Sequence, residues 1–269
     1  MPFADLPPRL HFLEAGSGDQ ALVLLHAFPL HAAMWEHQLA ELSSDGWRII
    51  APDLPGFGQS DPLPDPDQAS LDAMADAVAG LLDHLGLSQV VLGGLSMGGY
   101  IAFVFARRHR SRVRALVLAD TRAGADTDEV KERRTKQQAQ VREQGTKELV
   151  ETLLGNLLTE ETRTSRPEIV DGTRRLMLDI SPDAVVAGLE AMKRRTDATE
   201  ELAGLDLPAL VLVGDQDATA PVEVAGEMAS KLPRARLAII PGAGHLSNLE
   251  QPERFTAELK AFLDELRTE

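Results

Sequence analysis

The residues best suited to chemistry are a serine and two glycines spaced around it, Gly94, Ser96 and Gly98. They follow an apolar run at 90–92 and precede a helix-like segment at 100–106. A Gly-x-Ser-x-Gly turn between a strand and a helix holds the serine hydroxyl clear of the sheet. The flanking residues must be small because the two backbones pass close together. The first N–H groups of the helix would face the same point. The spacing therefore predicts a nucleophilic serine.

A serine hydroxyl is a weak nucleophile at neutral pH, so it needs a base, and the base needs an acid to orient it. The chain has seven histidines. Only His245 lies in a glycine-rich loop after a late apolar run and downstream of candidate acids. The loop at 214–221 supplies two of these acids, Asp215 and Asp217, and Asp120 ends an earlier apolar run.

The composition bounds the class of protein. The chain has 269 residues, no cysteine, and a net charge of −15 from 27 basic and 42 acidic residues. The absence of cysteine excludes disulfides and thiolate metal sites, and no apolar run approaches the length of a membrane span. The acidic balance disfavours nucleic acid and anionic membranes as partners. Residues 1–8 lack the pattern of a signal peptide, so we expect a cytoplasmic protein.

Short apolar runs alternate with segments of helical period along the chain. Runs at 9–14, 21–25, 47–51, 89–92, 113–119, 208–213 and 235–240 predict strands, and segments at 32–42, 71–85, 221–232 and 252–266 predict helices. Runs that are wholly apolar are typical of strands covered on both faces. The alternation predicts an α/β fold with a mostly parallel sheet flanked by helices.

Residues 121–203 interrupt this alternation, because they are helical in period and contain no convincing strand. We therefore expect a helical cap inserted after the sixth core strand. The predicted organisation is a core of 1–120 and 204–269 with a cap of 121–203. A cap at this point lies over the carboxyl ends of the strands, where open α/β sheets bind ligands.

Four separated motifs resemble those of the α/β-hydrolase superfamily. They are His26-Ala27-Phe28-Pro29, the stretch from Asp53 to Ser60 (DLPGFGQS), the Ser96 turn, and the stretch from Gly242 to Pro252 (GAGHLSNLEQP). The resemblance spans nearly the whole chain apart from the cap. Within the superfamily, the last motif and the cap position resemble the subgroup that includes 3-oxoadipate enol-lactonases and small carboxylesterases.

The resemblance implies a role for each part of the site. Ser96 would be the nucleophile, His245 the base and Asp217 the acid, with Asp215 and then Asp120 as alternative acids. The backbone N–H groups of Phe28 and Met97 would form the oxyanion hole.

One departure concerns the oxyanion loop, where Ala27 stands in place of the glycine common in the family. The stretch from Asp53 to Ser60 would brace the site. For the pocket we expect substrate contacts from Phe28, Trp35, Leu154 and Met192. For a carboxylate-bearing substrate, the cap offers several arginines, Arg122, Arg133, Arg134, Arg174 and Arg175.

The expected function is hydrolysis of a small ester or lactone through an acyl-enzyme. The serine at the turn argues against relatives that use an aspartate nucleophile, such as epoxide hydrolases. A cofactor-free perhydrolase and a C–C bond hydrolase use the same three residues and stay open as alternatives. A non-catalytic ligand-binding relative is a further alternative. The sequence predicts no metal site and no cofactor.

Overall fold

The computed structural model describes residues 3–4, 8–44, 46–63 and 69–268. Within these residues, one eight-stranded sheet has the order β1-β2-β4-β3-β5-β6-β7-β8. The pairs β1–β2 and β2–β4 are antiparallel, and the remaining pairs are parallel. The strands are β1 (Phe3–Ala4), β2 (Leu10–Ala15), β3 (Gln20–Leu25), β4 (Trp47–Pro52), β5 (Val90–Leu95), β6 (Val113–Ala119), β7 (Pro208–Gly214) and β8 (Arg234–Ile240).

The α/β fold predicted from the alternation of apolar runs is confirmed, and all seven predicted strands are present with small differences at their ends. β1 was not predicted, because a strand of two residues is too short to show a pattern of apolar residues. The prediction that residues 1–8 form no signal peptide falls partly outside the described residues, because residues 1–2 and 5–7 are not described.

The helices cover both faces of the sheet and fill the long connection between β6 and β7. They are α1 (Glu36–Leu42), α2 (Leu71–His84), α3 (Met97–Arg108), α4 (Asp128–Gln144), α5 (Lys147–Leu157), α6 (Glu160–Ser165), α7 (Pro167–Leu178), α8 (Pro182–Lys193), α9 (Val222–Lys231), α10 (Ser247–Glu250) and α11 (Pro252–Thr268). The segment at 32–42, expected as one helix, is a 3₁₀ turn at Ala32–Trp35 followed by α1. No helix in the described ranges is long and apolar enough to cross a membrane.

The sheet separates two hydrophobic layers, which explains why the buried positions of its central strands are apolar on both faces. In β3, Leu22 and Leu24 belong to one layer, whereas Val23 and Leu25 belong to the other. Successive side chains of a strand point to opposite faces, so a strand covered on both sides needs no polar residue. This layering fixes the carboxyl ends of β5, β6, β7 and β8, where the candidate site lies.

Helices α4 to α8 lie between β6 and β7, within the span expected for the cap. The insertion begins at the carboxyl edge of the sheet, since β6 ends at Ala119. The boundaries 1–120, 121–203 and 204–269 agree with this connectivity. The division of the chain into a core and a separate cap at these boundaries stays a prediction.

Candidate active site

Ser96 lies on a tight turn between β5 and α3. Its backbone has φ 54° and ψ −110°, which is a strained conformation for a residue other than glycine. The two flanking glycines are required by close packing. A Cβ on Gly94 would lie 2.2 Å from the carbonyl carbon of Gly98, and a Cβ on Gly98 would lie 2.3 Å from the carbonyl oxygen of Leu25. The turn therefore holds the serine at the start of α3, as the spacing predicted.

The structure brings Ser96, His245 and Asp217 together in one row. His245 Nε2 lies 2.8 Å from the Ser96 hydroxyl oxygen, and His245 Nδ1 lies 2.8 Å from Asp217 Oδ2. Asp217 can only accept when it is ionised, so the imidazole proton lies on Nδ1 and leaves Nε2 as an acceptor. In this arrangement His245 can take the hydroxyl proton as Ser96 attacks a carbonyl.

The loop after β7 holds Asp217 rigidly in its ionised form. Asp217 Oδ1 accepts hydrogen bonds from the backbone N–H groups of Thr219 at 2.7 Å and Ala220 at 2.9 Å. Burial alone raises the pKa of Asp217. The charge of His245 and these hydrogen bonds outweigh burial and keep the pKa below its ordinary value.

The same pair strengthens His245 as a base. Burial alone lowers the pKa of His245, but the charge of Asp217 and the hydrogen bond to it raise the pKa above its ordinary value. The geometry and the two pKa directions agree on an ionised acid beside a basic imidazole.

The other two candidate acids lie elsewhere. Asp215 is exposed, and its Oδ1 accepts from the backbone N–H of Gly242 at 2.8 Å. Asp120 is fully buried at the end of β6, where its carboxylate accepts from Gly214 and Ser247. Neither is hydrogen-bonded to the His245 ring, which favours Asp217 as the acid of the row.

The cap contacts the loop that carries His245. The backbone N–H of His245 donates to the carbonyl of Leu157 at the end of α5, at 3.0 Å. Glu250 is fully buried and accepts from the Thr159 hydroxyl and the Gly244 N–H, at 2.8 Å and 2.7 Å. The position of the histidine therefore depends on the inserted helices as well as on the sheet.

The two residues expected to supply the oxyanion hole, Met97 and Phe28, begin α3 and follow β3. Met97 begins α3, where the first N–H groups of a helix have no partner within the helix. Phe28 follows β3, and its ring lies against Gly188 of α8, where a Cβ would come within 2.8 Å of the ring. Cap packing thus fixes the loop in which Ala27 replaces the usual glycine.

The buried side chains of His26 and Asp53 hold this loop in place through hydrogen bonds to backbone groups. His26 Nδ1 lies 2.9 Å from the carbonyl oxygen of Ala27, and its Nε2 accepts from the N–H of Leu54 at 3.0 Å. Burial lowers the pKa of His26 to about 4, so the ring is neutral and serves as a structural link. Asp53 accepts from Ala32 N–H and Gln59 N–H at 2.8 Å and 2.9 Å, consistent with the bracing role expected for its loop.

A cavity of about 700 Å³ opens from the serine into the space beneath the cap. Ser96 and His245 line it, and so do two of the predicted pocket residues, Phe28 and Met192. Sequence reasoning missed further lining residues that come from several loops and helices, including Tyr100, Leu153, Leu189, Gln216, Ala218 and Thr219.

The structure does not place the other two predicted pocket residues in this cavity. Trp35 is fully buried, and its ring packs against Phe255 with 5.9 Å between centroids. Leu154 is buried in the same hydrophobic layer as Trp35, whereas its neighbour Leu153 faces the cavity. A helix turns 100° per residue, so a phase error of one position along α5 explains the difference at Leu154.

Arginine dominates the charged lining of the cavity. Arg122, Arg133, Arg134 and Arg163 line it, with Glu160 as the one carboxylate among the lining residues. Arg174 and Arg175, which were also considered, are not part of this lining. In a chain of net charge −15, this local reversal of sign favours an anionic ligand.

Arg122 is a cavity arginine that is held only loosely by its protein partner. Its guanidinium lies 3.6 Å from Asp126, which is already engaged by Arg134 at 2.6 Å and by Arg195 at 2.5 Å. The Nε of Arg122 is buried and has no hydrogen-bond partner in the described part of the chain. A buried donor without a partner is costly, so a bound acceptor would stabilise this side chain.

Residues 20–252 match the sequence model of the α/β hydrolase fold family. With the sheet order and the strand-turn-helix at Ser96, this match defines the class: the chain belongs to the α/β-hydrolase family. Within the described residues, no group of histidine and acidic side chains is arranged to hold a metal ion.

The proteins similar to this chain include enzymes that are named for different reactions. A 2-hydroxy-6-oxononadienedioate/2-hydroxy-6-oxononatrienedioate hydrolase from Burkholderia vietnamiensis is 31% identical over 266 residues, covering 95% of this chain and 91% of its own. A malate-bound thermophilic esterase from Thermogutta terrifontis is 43% identical with a TM-score of 0.93, covering 96% and 94%. An enol-lactonase from Burkholderia xenovorans is 27% identical with a TM-score of 0.90, covering 98% and 100%.

Proposed function

We propose that this chain is a serine hydrolase that cleaves a small ester or lactone through an acyl-enzyme. The observation that carries the proposal is the row Ser96–His245–Asp217, joined by two hydrogen bonds of 2.8 Å and open to one cavity. The similarity to an esterase and an enol-lactonase supports the same class of substrate.

The proposed mechanism has two halves. Ser96 attacks the carbonyl carbon while His245 takes its proton, and the oxyanion is held by the N–H groups of Phe28 and Met97. His245 then returns the proton to the leaving alcohol or enol. Water enters the cavity and gives a proton to His245 as it attacks the acyl-enzyme. His245 returns this proton to Ser96, and the acid is released.

The arginine lining supports a substrate that carries a carboxylate. Arg122 is near enough to His245 to oppose its protonation, and its Nε has no protein partner in the described residues. The malate bound to the related esterase and the dioate in the name of the related hydrolase are both dicarboxylates. We therefore favour half-esters of small dicarboxylic acids, or lactones that bear a carboxylate.

The first experiment is hydrolysis of p-nitrophenyl acetate and butyrate by the wild type beside Ser96→Ala. Ser96 is partly exposed at the cavity, so removing its hydroxyl leaves the fold intact, and we expect activity to disappear. Equal rates in both proteins would contradict the serine mechanism.

A matched pair of substrates tests whether the site recognises a carboxylate on its substrate. We expect monoethyl succinate to be hydrolysed with a higher kcat/KM than the neutral diethyl succinate. Arg122→Gln should lower kcat/KM for the half-ester about tenfold and leave the diester within about twofold. Equal losses for the two substrates would show that Arg122 does not recognise the charge.

The relatives named as dioate hydrolases favour a second candidate, hydrolysis of a C–C bond in an acidic ketone by the same residues. Turnover of a vinylogous diketone without turnover of any ester would favour this candidate over the first.

A further inference from the structure

Asp120 is a buried acid that takes no part in the proposed mechanism. It is fully buried at the carboxyl end of β6 and has φ +44°. Among the described residues, only Ser96 shares a positive φ without being glycine. A left-handed backbone is sterically unfavourable for such a residue, so the surrounding contacts must hold Asp120 in this conformation.

The carboxylate of Asp120 joins the two loops that carry Asp217 and His245. Oδ1 accepts from the N–H of Gly214 at 2.9 Å, and the carbonyl of Gly214 in turn accepts from Asp217 N–H at 3.2 Å. Oδ2 accepts from the hydroxyl of Ser247, two residues after His245, at 2.5 Å. One side chain thus ties both loops to the sheet.

The residues on either side of Asp120 hold the serine. The carbonyl of Ala119 accepts from the N–H of Ser96 at 3.0 Å. The hydroxyl of Thr121 donates to the carbonyl of Ser96 at 2.8 Å. The three consecutive residues 119–121 therefore contact the segments of all three members of the row.

The side-chain atoms of Asp120 have no cation as a hydrogen-bond partner within the described chain, since Ser247 and the Gly214 N–H are neutral donors. The charged groups that act on this carboxyl are Asp217, which opposes its ionisation, and His245, which favours it. Arg122 acts on His245 in the opposite sense to both acids. A change in the charge of Asp120 must therefore change the proton affinity of His245.

We propose that Asp120 is a positioning residue for the triad, which fixes both catalytic loops and strengthens His245 as a base through its negative charge. The hydroxyl of Ser247 suits this role because it can donate to the ionised carboxylate or accept from the protonated carboxyl. Burial and the charge of Asp217 raise the pKa of Asp120 to about 7, so its charge changes near neutral pH.

The test is an NMR titration of the His245 imidazole in the wild type and in Asp120→Asn, with the His245 signal assigned from a His245→Gln variant. Asparagine can accept from Gly214 through its oxygen and donate to Ser247 through its amide, so the loops stay joined. Loss of the negative charge should lower the titration midpoint of His245 by about 0.5 pH unit or more. A midpoint equal to or above that of the wild type would overturn the proposal.

Two further variants keep the test decisive. Ser247→Ala removes a hydrogen bond that favours the ionised form of Asp120, so it should lower the midpoint in the same direction by less. If Asp120→Asn does not fold, Ser247→Ala decides the question by the same criterion. Asp215→Asn is the matched control, because Asp215 also joins strand-end loops but is exposed, and it should leave the midpoint unmoved.

The expected effect of Asp120 on the rate of ester hydrolysis rests on the proposed function, whereas its expected effect on the His245 titration does not. If esters are hydrolysed, the acid limb of kcat/KM should move with the NMR midpoint in each variant. If no ester is hydrolysed, the proposed function fails, and the His245 midpoint still supports or overturns the role of Asp120.

Discussion

Replacing Asp217 by asparagine should reverse the hydrogen-bonding sense of the whole row. The Oδ1 position receives two backbone N–H groups, from Thr219 and Ala220 at 2.7 Å and 2.9 Å. The amide oxygen of the substituted side chain must therefore occupy that position, because an NH₂ group there would meet two donors. The NH₂ group is then directed at His245 Nδ1, 2.8 Å from the carboxylate oxygen in the wild type.

A donor facing Nδ1 forces that nitrogen to act as an acceptor and moves the imidazole proton to Nε2. Nε2 faces the Ser96 hydroxyl at 2.8 Å and can then no longer take its proton. In a serine protease, the equivalent change lowers kcat about 10⁴-fold. This corresponds to about 5.5 kcal/mol at about 1.36 kcal/mol per tenfold. We expect a loss of the same order here.

The assay is kcat with p-nitrophenyl butyrate, measured for Asp217→Asn beside Asp215→Asn. Asp215 is exposed and two residues away in the same loop, so its variant should stay within about threefold of the wild type. Thermal unfolding of both variants checks that the fold is kept. An Asp217→Asn variant with more than about a tenth of wild-type kcat, or a larger loss in Asp215→Asn, would refute the reasoning.

The remaining predictions concern pH, packing and the cap. Because the pKa of His245 is raised, kcat/KM should fall about tenfold per pH unit below a midpoint above about pH 6.5; a flat profile down to about pH 4 would exclude a histidine base. Gly98→Ala should destabilise the fold by about 3 kcal/mol or more in a urea titration, since its Cβ would lie 2.3 Å from the Leu25 carbonyl oxygen. Asp126→Asn should lower the free energy of unfolding by about 3–5 kcal/mol, because it leaves its arginine partners uncompensated; unchanged stability would contradict this.

Much of the fold could be predicted from the sequence because its signals are local. A wholly apolar run such as 21–25 needs only its own residues to indicate a strand covered on both faces. The glycines around Ser96 likewise report a close approach between two adjacent elements. The order of Ser96, Asp217 and His245 along the chain completed the prediction of the row.

The pocket could not be predicted in the same way, because it is formed by elements distant in the sequence. Trp35 is a large apolar residue of the kind expected to line a pocket. In the structure its ring packs against Phe255 of α11 instead. Leu153 rather than Leu154 faces the cavity, and only the docking of α5 on the core sets that phase.

The sequence by itself determined the strand-turn-helix at Ser96, since residue type and local spacing place this serine on a strained turn. Only the tertiary structure decided which acid faces His245, that Glu250 ties the cap to the histidine loop, and that Asp120 joins the loops that carry Asp217 and His245. The physical reason is that hydrogen bonds and charge interactions depend on distances of a few ångströms. These distances are set by packing between segments that lie far apart in the sequence, and spacing along the chain does not encode them.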